Sequence, residues 1–223
     1  MSQSLVVLLH LCDSLFPIGS FSHSDGLEAA TASQRVRSAT DLREWMEAVF
    51  DDTLSRLEGP AASQAWRAWS EARLDAVLVL DAEMHAIRPS SSGRAASRAM
   101  GTRLLKTWSA IRPSDALPVL PGAHPRVTLP VGFGVVAAAA GIANREMLQG
   151  FMYTRLASTV SAAMRLMPLG QHEGHRLLAD VLAGVPAAVD DILRDDRRLM
   201  SFAPALDLAA MSQQYVHSRL FRS

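Results

Sequence analysis

Early in the sequence, hydroxyl, imidazole and carboxylate side chains follow one another closely. Ser22, His23 and Asp25 are the residue types of a nucleophile, a general base and an orienting acid, which together could hydrolyse an ester or an amide. Side chains adjacent in sequence point in different directions, and the chain contains no Gly-x-Ser-x-Gly elbow. We therefore predict a tight turn at residues 17–19, then a helix capped by Ser22 or Ser24 with Asp25 in its first turn. A hydrolase built on Ser22, His23 and Asp25 stays an alternative.

Two histidines in the second half of the chain raise the question of a metal site. His172 and His175 are three residues apart, so they share one face of a helix, and imidazole is a common metal ligand. The sequence supplies no third ligand beside them, and Gly174 weakens the helix between them. We expect no stably bound metal here, and a nickel-binding role of His172 and His175 stays a second alternative.

Nucleotide-binding motifs are absent from the sequence. Gly132 and Gly134 lack the third glycine and the preceding strand of a dinucleotide fingerprint, and no Gly-x-x-x-x-Gly-Lys occurs. Lys106 is the only lysine in the sequence, which excludes a Walker-type phosphate loop. Any nucleotide chemistry must therefore be supplied by a partner protein.

The last dozen residues, about 212–223, have the composition of a binding segment. Leu220 and Phe221 stand between Arg219 and Arg222, and large apolar residues and arginine are enriched at interface hot spots. The segment either docks on the body of its own chain or waits for a partner. The sequence alone does not choose between the two.

Helices must position these residues. After Thr40 and Asp41, which we expect to start a helix, apolar residues recur at helical spacing at Leu42, Trp45, Met46, Val49, Phe50, Leu54 and Leu57. Gly59–Pro60 is predicted to end this helix and to open the next, which extends to Ile87, so that the two form an antiparallel hairpin.

The rest of the chain also has a helical pattern. We predict helices over residues 92–111 and 144–167 and after Pro168-Leu169-Gly170, Pro186 and Pro204, with a buried apolar segment at 127–143. A connector rich in proline covers about residues 112–125. No segment alternates convincingly between apolar and polar residues, so no strand is predicted. The sequence thus predicts an all-α, single-domain multi-helix bundle over residues 1–223.

Composition excludes several classes of protein. The 223 residues carry 22 Lys+Arg and 22 Asp+Glu, and this neutral balance argues against a nucleic-acid binder. The longest apolar stretch, 127–143, contains Pro130 and falls short of the roughly 20 residues of a membrane span. With one cysteine, Cys12, and no secretory signal, the expected location is the cytoplasm.

Five stretches, in order along the chain, resemble the UreF family of urease accessory proteins. Residues 16–28 (Phe-Pro-Ile-Gly-Ser-Phe-Ser-His-Ser-Asp-Gly-Leu-Glu), here called the signature, are similar to the family's N-terminal motif. The others are residues 96–105, 124–142, 165–171 and 218–223. Each is weak alone, but together they span nearly the whole chain, from residue 16 to residue 223.

The resemblance implies an all-α homodimer that is not an enzyme. It implies a scaffold that bridges UreD (also called UreH) and the GTPase UreG, in the complex that delivers nickel to apo-urease and couples this step to GTP hydrolysis. It also implies that no cofactor is bound stably: the complex handles nickel, and UreG binds GTP.

The resemblance also implies which residues meet partners. These are signature residues Phe16, Pro17, Gly19, Ser20, Phe21, Ser22, Gly26 and Glu28, expected to shape a surface facing a second copy or UreG, and tail residues Tyr215, Ser218, Arg219, Leu220 and Phe221, expected to dock on UreD. No catalytic, cofactor-binding or metal-binding residue is implied.

Overall fold

Helices form most of the chain that the structure describes. The computed structural model describes residues 3–113, 117, 126–195 and 198–222. The α-helices in these ranges are α1 (Gln3–Leu11), α2 (Leu27–Ala32), α3 (Ala39–Ala48), α4 (Gly59–Ser70), α5 (Leu74–Ile87), α6 (Ser91–Ile111), α7 (Leu129–Ala139), α8 (Asn144–Leu166), α9 (Gln171–Leu182), α10 (Val185–Arg194) and α11 (Pro204–Ser212). A π-helical segment, Val49–Glu58, joins α3 to α4, and 3-10 turns occupy Ser20–Ser22 and Gln213–Tyr215. No strand occurs in the described ranges, which confirms the all-α prediction.

Helix α7 forms the centre of the hydrophobic core. All its residues from Leu129 to Ala137 are buried, as predicted for this apolar segment. It packs against α4, α6 and α8, and the surrounding buried side chains form one cluster that extends from Val7 to Phe221. The other helices therefore arrange themselves around a helix that is apolar on every side.

Glycines allow the helices to approach α7 closely. A Cβ atom at Gly134 of α7 would lie 2.2 Å from the carbonyl oxygen of Ala62 on α4. At Gly101 of α6, a Cβ atom would lie 2.3 Å from the carbonyl oxygen of Val127. Neither distance is possible for a real side chain, so these two contacts require glycine.

The predicted helix end at Gly59–Pro60 is wrong. Gly59 has helical backbone angles (φ −64°, ψ −51°), and the chain stays helical from α3 through the π-helical segment into α4. Proline cannot donate to the carbonyl four residues earlier, here that of Arg56. That carbonyl accepts a hydrogen bond from Met200 N at 3.1 Å instead. The turn of the hairpin lies at residues 71–73, between α4 and α5.

The remaining boundaries are close to the predicted ones. Helix α6 agrees with the predicted helix over 92–111 and α8 with that over 144–167. Helix α3 starts two residues early, because the hydroxyl of Ser38 accepts from Asp41 N at 3.2 Å and forms a capping box with that residue. Most of the predicted connector, residues 114–116 and 118–125, lies outside the described residues. No helix in the described part of the chain has both the length and the apolar character to cross a membrane.

Two glycine-to-alanine changes should shift stability in opposite directions. Gly134→Ala forces a methyl group against the Ala62 carbonyl, so we expect the free energy of unfolding to fall by about 1–3 kcal/mol. Gly93→Ala in the first turn of α6 meets only Ser90 side-chain atoms at 3.4 Å, and should raise stability by up to about 1 kcal/mol. Urea unfolding followed by circular dichroism measures both. Equal effects would contradict the close α4–α7 contact.

Candidate partner-docking site

The carboxylate of Glu28 joins the signature to the C-terminal tail. Glu28 lies in the first turn of α2 and is 3% exposed. Its Oε2 accepts from Gln213 Nε2 at 2.5 Å and from Phe221 N at 3.3 Å, and its Oε1 accepts from Leu220 N at 2.5 Å. Hydrogen bonds to an ionised acceptor are stronger than neutral ones. Glu28 therefore anchors the tail.

Further contacts place the tail against the body of its own chain. Phe221 is buried, and the guanidinium of Arg165 lies 4.3 Å from its ring centroid. Arg165 Nη1 also donates to the carbonyl of Phe21 at 2.8 Å, and Arg222 N donates to the carbonyl of Ser22 at 2.8 Å. Of the two arrangements that the sequence left open, the structure shows the docked one.

The signature and the docked tail together expose a patch of apolar and cationic side chains. Phe21 is 69% exposed, Tyr215 79% and Leu220 61%. The exposed members of the predicted site, which we call the docking surface, are Pro17, Phe21, Tyr215, Ser218, Arg219 and Leu220. Exposed aromatic, leucine and arginine side chains in one patch are typical of a surface that binds protein.

The other predicted site residues lie beneath this surface. Phe16, Gly19, Gly26, Glu28 and Phe221 are buried, and Ser20 and Ser22 are half-buried. Buried side chains cannot touch a partner in this conformation, so they act by shaping the surface. Gly26 illustrates the role: its φ is +89°, and a Cβ atom there would lie 2.6 Å from Ala210 N of α11.

Below the signature, four charged side chains form a network. Arg155 on α8 donates to Asp25 Oδ2 at 2.5 Å and, through Nε, to Glu58 Oε2 at 3.0 Å. Arg88 donates to the other oxygen of Glu58, whose side chain is 1% exposed. The charges of the two carboxylates and the two guanidinium groups cancel, and buried charges must be paired in this way. The network fixes the signature to α4, α5 and α8.

The hydrolase alternative conflicts with this network. Burial alone raises the pKa of Asp25, but the Arg155 and Arg88 guanidinium groups lower it by more, so the pKa lies below its ordinary value. The carboxylate is thus an ionised partner of Arg155. Helix α2 begins at Leu27, so the prediction that Asp25 lies in its first turn is wrong. Ser24 does act near the helix start: its hydroxyl accepts from the amide of Glu28 at 3.4 Å.

The side chains that could bind nickel do not form one site in the described part of the chain. His172 and His175 are exposed on the first turns of α9. Burial raises the pKa of the Cys12 thiol to about 12, so it stays protonated near neutral pH, whereas a metal ligand must be a thiolate. Among the described residues, no group of three or more histidine, cysteine, aspartate or glutamate side chains could hold a metal ion.

Sequence reasoning missed several residues that build the site. Glu58, Arg88, Arg155 and Gln213 carry the hydrogen bonds below the signature and the tail, yet none belongs to a motif. Glu58 lies four residues after Leu54, on the apolar side of its helix, where a charged residue is unexpected. This position is the signal from which the sequence could have identified Glu58. Arg165 belongs to a family-like stretch, but its contacts with Phe21 and Phe221 could not be foreseen.

Comparison with known proteins agrees with these features. The family model for UreF matches residues 36–182. The chain is 33% identical to a urease accessory protein UreF of Azoarcus sp. (strain BH72) over 98% of this chain and 95% of the relative. The chain belongs to the UreF family. It is also 31% identical to a urease accessory protein UreF of Methylobacillus flagellatus and 32% identical to one of Ralstonia pickettii. Both matches cover 100% of this chain and 99% of the relative.

The two kinds of match cover different parts of the site. The UreF family model covers residues 36–182, and therefore excludes both the signature and the tail. The full-length UreF relatives span nearly the whole chain and include both segments. The helical body matches the family model, the full-length relatives extend the likeness over nearly the whole chain, and the docking surface lies in the segments on either side of the body.

Replacing Glu28 by glutamine should release the tail. Glu28→Gln keeps the size of the side chain but turns an amide NH2 toward donors, so at least one of the amides of Leu220 and Phe221 loses its acceptor. We expect hydrogen exchange at these two amides to accelerate by about tenfold or more. Glu173→Gln, an exposed change on α9, is the control. Unchanged exchange in Glu28→Gln would contradict the anchor.

The Asp25 pair should contribute stability that depends on pH. Because the pKa of Asp25 is lowered below its ordinary 3.8 in the folded chain, its contribution is present above that pH and is lost as pH falls through the folded pKa. Wild type should therefore be more stable than Asp25→Asn at pH 7 and 5, and the difference should shrink below about pH 4. Urea unfolding at several pH values measures this, with exposed Asp75→Asn as control. A difference that is constant down to pH 2.5 would exclude the pair.

Proposed function

We propose that this UreF-family chain is a non-enzymatic scaffold for urease maturation. It bridges UreD (UreH) and UreG, in the cytoplasmic complex that inserts nickel into apo-urease and couples the step to GTP hydrolysis. The observation that carries the proposal is the docking surface, in which two segments nearly 200 residues apart are held together by a buried carboxylate. The proposal is also supported by the comparisons, because the relatives are named urease accessory proteins.

The docking surface binds UreD in this proposal. Phe21, Tyr215 and Leu220 are large side chains that a partner can enclose, and Arg219 supplies a cation that can form paired hydrogen bonds. The residues beneath them are fixed by Glu28 and Arg165, so they lose little conformational freedom on binding. A surface of this kind is ready to bind before its partner arrives.

A second copy binds next to the docking surface, through α1. Leu5, Val6 and Leu9 of α1 are exposed, and Leu9 also lines a groove of about 410 Å³ between α1, the signature and α8. Tyr153 of α8, which is 45% exposed, extends the same apolar area. An apolar helix face that pairs with its own copy about a two-fold axis would form the homodimer.

Nickel and GTP belong to the partners in this proposal. Nickel is the cargo of the complex, and this chain positions the proteins that carry and receive it. GTP binds to UreG, since the sequence here contains no phosphate loop. The chain acts on GTP hydrolysis only by holding UreG in the complex.

Single alanine changes on the docking surface should weaken binding to UreD. We expect Phe21→Ala, Tyr215→Ala and Leu220→Ala each to raise the dissociation constant by about tenfold or more, because each removes a large exposed anchor. Biolayer interferometry with purified UreD measures the affinity, and co-purification with UreD and UreG tests the assembly.

Val79→Ala is the matched control, since Val79 is 68% exposed on α5, outside the docking surface, and should bind UreD as wild type does. The proposal fails if the wild-type chain retains neither UreD nor UreG. It also fails if the control loses as much affinity as the three surface variants.

A further inference from the structure

Helix α6 carries a row of cations on its outer face. Arg94 and Arg98, four residues apart, lie on the same side of the helix, and Lys106 lies about two turns further along and about 80° around the helix axis from Arg98. The sequence of α6 contains no acidic residue. In a chain whose formal charges balance at zero, this is a local excess of positive charge.

These cations line a groove. The groove has a volume of about 550 Å³ and is lined by Arg94, Arg98, Arg103, Lys106 and Arg126. Its helical floor includes Ala95 and Ala99, which are exposed and small, so a polypeptide backbone can approach α6 between the cationic side chains. No carboxylate lines it among the residues that the structure describes.

Internal contacts leave much of this charge unbalanced. Arg94 donates to the carbonyls of Arg88 and Pro89, and Arg103 donates to the carbonyl of Ile18 at 3.4 Å, so neither guanidinium meets a carboxylate there.

Among the residues that the structure describes, one lining cation pairs with an acid. Arg98 lies 3.6 Å from Asp81, which is buried below the groove. The side chains of Lys106 and Arg126 are exposed. The pKa of His85, at the groove's edge, is lowered first by desolvation and then by Arg98 and Arg94, which agrees with a positive potential.

We propose that this groove binds an acidic, extended segment of a partner protein. From Arg94 to Lys106 the helix rises about 18 Å, which an extended chain covers in five to six residues. Alternate residues of such a chain are about 6.6 Å apart on one side, close to the 6 Å rise between helix positions four apart. Carboxylates two residues apart therefore match the spacing of Arg94 and Arg98, and a third carboxylate four residues further along matches the rise of about 12 Å to Lys106, past Thr102.

The geometry favours a polypeptide over a nucleic acid. The cationic row is short, and the rest of the chain balances its charges, whereas a nucleic-acid binder needs a cationic surface that continues along the phosphates. The binding does not depend on UreD or on the docking surface. It can therefore succeed or fail independently of the scaffold role.

Binding of a fluorescein-labelled hexaglutamate peptide to the full chain tests the groove. We expect saturable binding that weakens as salt is raised, and no binding of hexaglutamine. Lys106→Glu/Arg126→Glu should weaken binding at least tenfold. Arg35→Glu/Arg176→Glu changes the net charge by the same amount at exposed residues outside the groove, and should stay within twofold of wild type.

Lys106 also allows a chemical test, because it is the only lysine in the sequence. A carbodiimide should join its Nζ to a carboxylate of the bound peptide as an amide, with loss of water, and mass spectrometry should find the product at Lys106. Lys106→Arg keeps the charge, so it should bind the peptide but form no such product.

Three results would overturn the proposal. The first is the absence of saturable binding by the correctly folded wild-type chain. The second is an equal loss in the two double variants, which would mean that only net charge matters. The third is displacement of the peptide by tripolyphosphate at equal or lower concentration, which would identify a phosphate site instead.

Discussion

One buried carboxylate holds the functional end of this molecule together. Glu28 sits in the first turn of a short helix, and its two oxygens receive one side-chain amide and two backbone amides from the tail. Without it, those donors would be buried with no acceptor, which costs more than the hydrogen bonds gain when made. Phe221 is held by this contact, and its ring in turn packs against the guanidinium of Arg165, which donates to the carbonyl of Phe21.

The helical body could be predicted from the sequence because its signal is local. The apolar spacing before residue 58, the buried segment at 127–143 and the helix at 92–111 need no knowledge of distant residues. Gly59–Pro60 shows where this reasoning stops. Proline removes one helical donor and crowds the carbonyl four residues earlier, yet here the helix continues and that carbonyl accepts from Met200, far along the chain.

The candidate site was predictable in part. The signature and the tail stand out by residue type, but their meeting depends on hydrogen bonds between residues such as Glu28 and Gln213 that no spacing rule connects. The same limit applies to Asp25: a helix start is the local interpretation, while the actual partner, Arg155, lies on α8. The groove on α6 could not be predicted for another reason, because Arg126 joins it from the segment that precedes α7.

The sequence separation of the Glu28 contacts has a consequence for the order of folding. Its partners Gln213, Leu220 and Phe221 are 185 to 193 positions away, and contacts so distant carry the largest loop-closure entropy. They form once the helices between them have assembled. A chain that is only half folded therefore does not present the surface, so under the proposed function a partner that binds it selects molecules whose core is already complete.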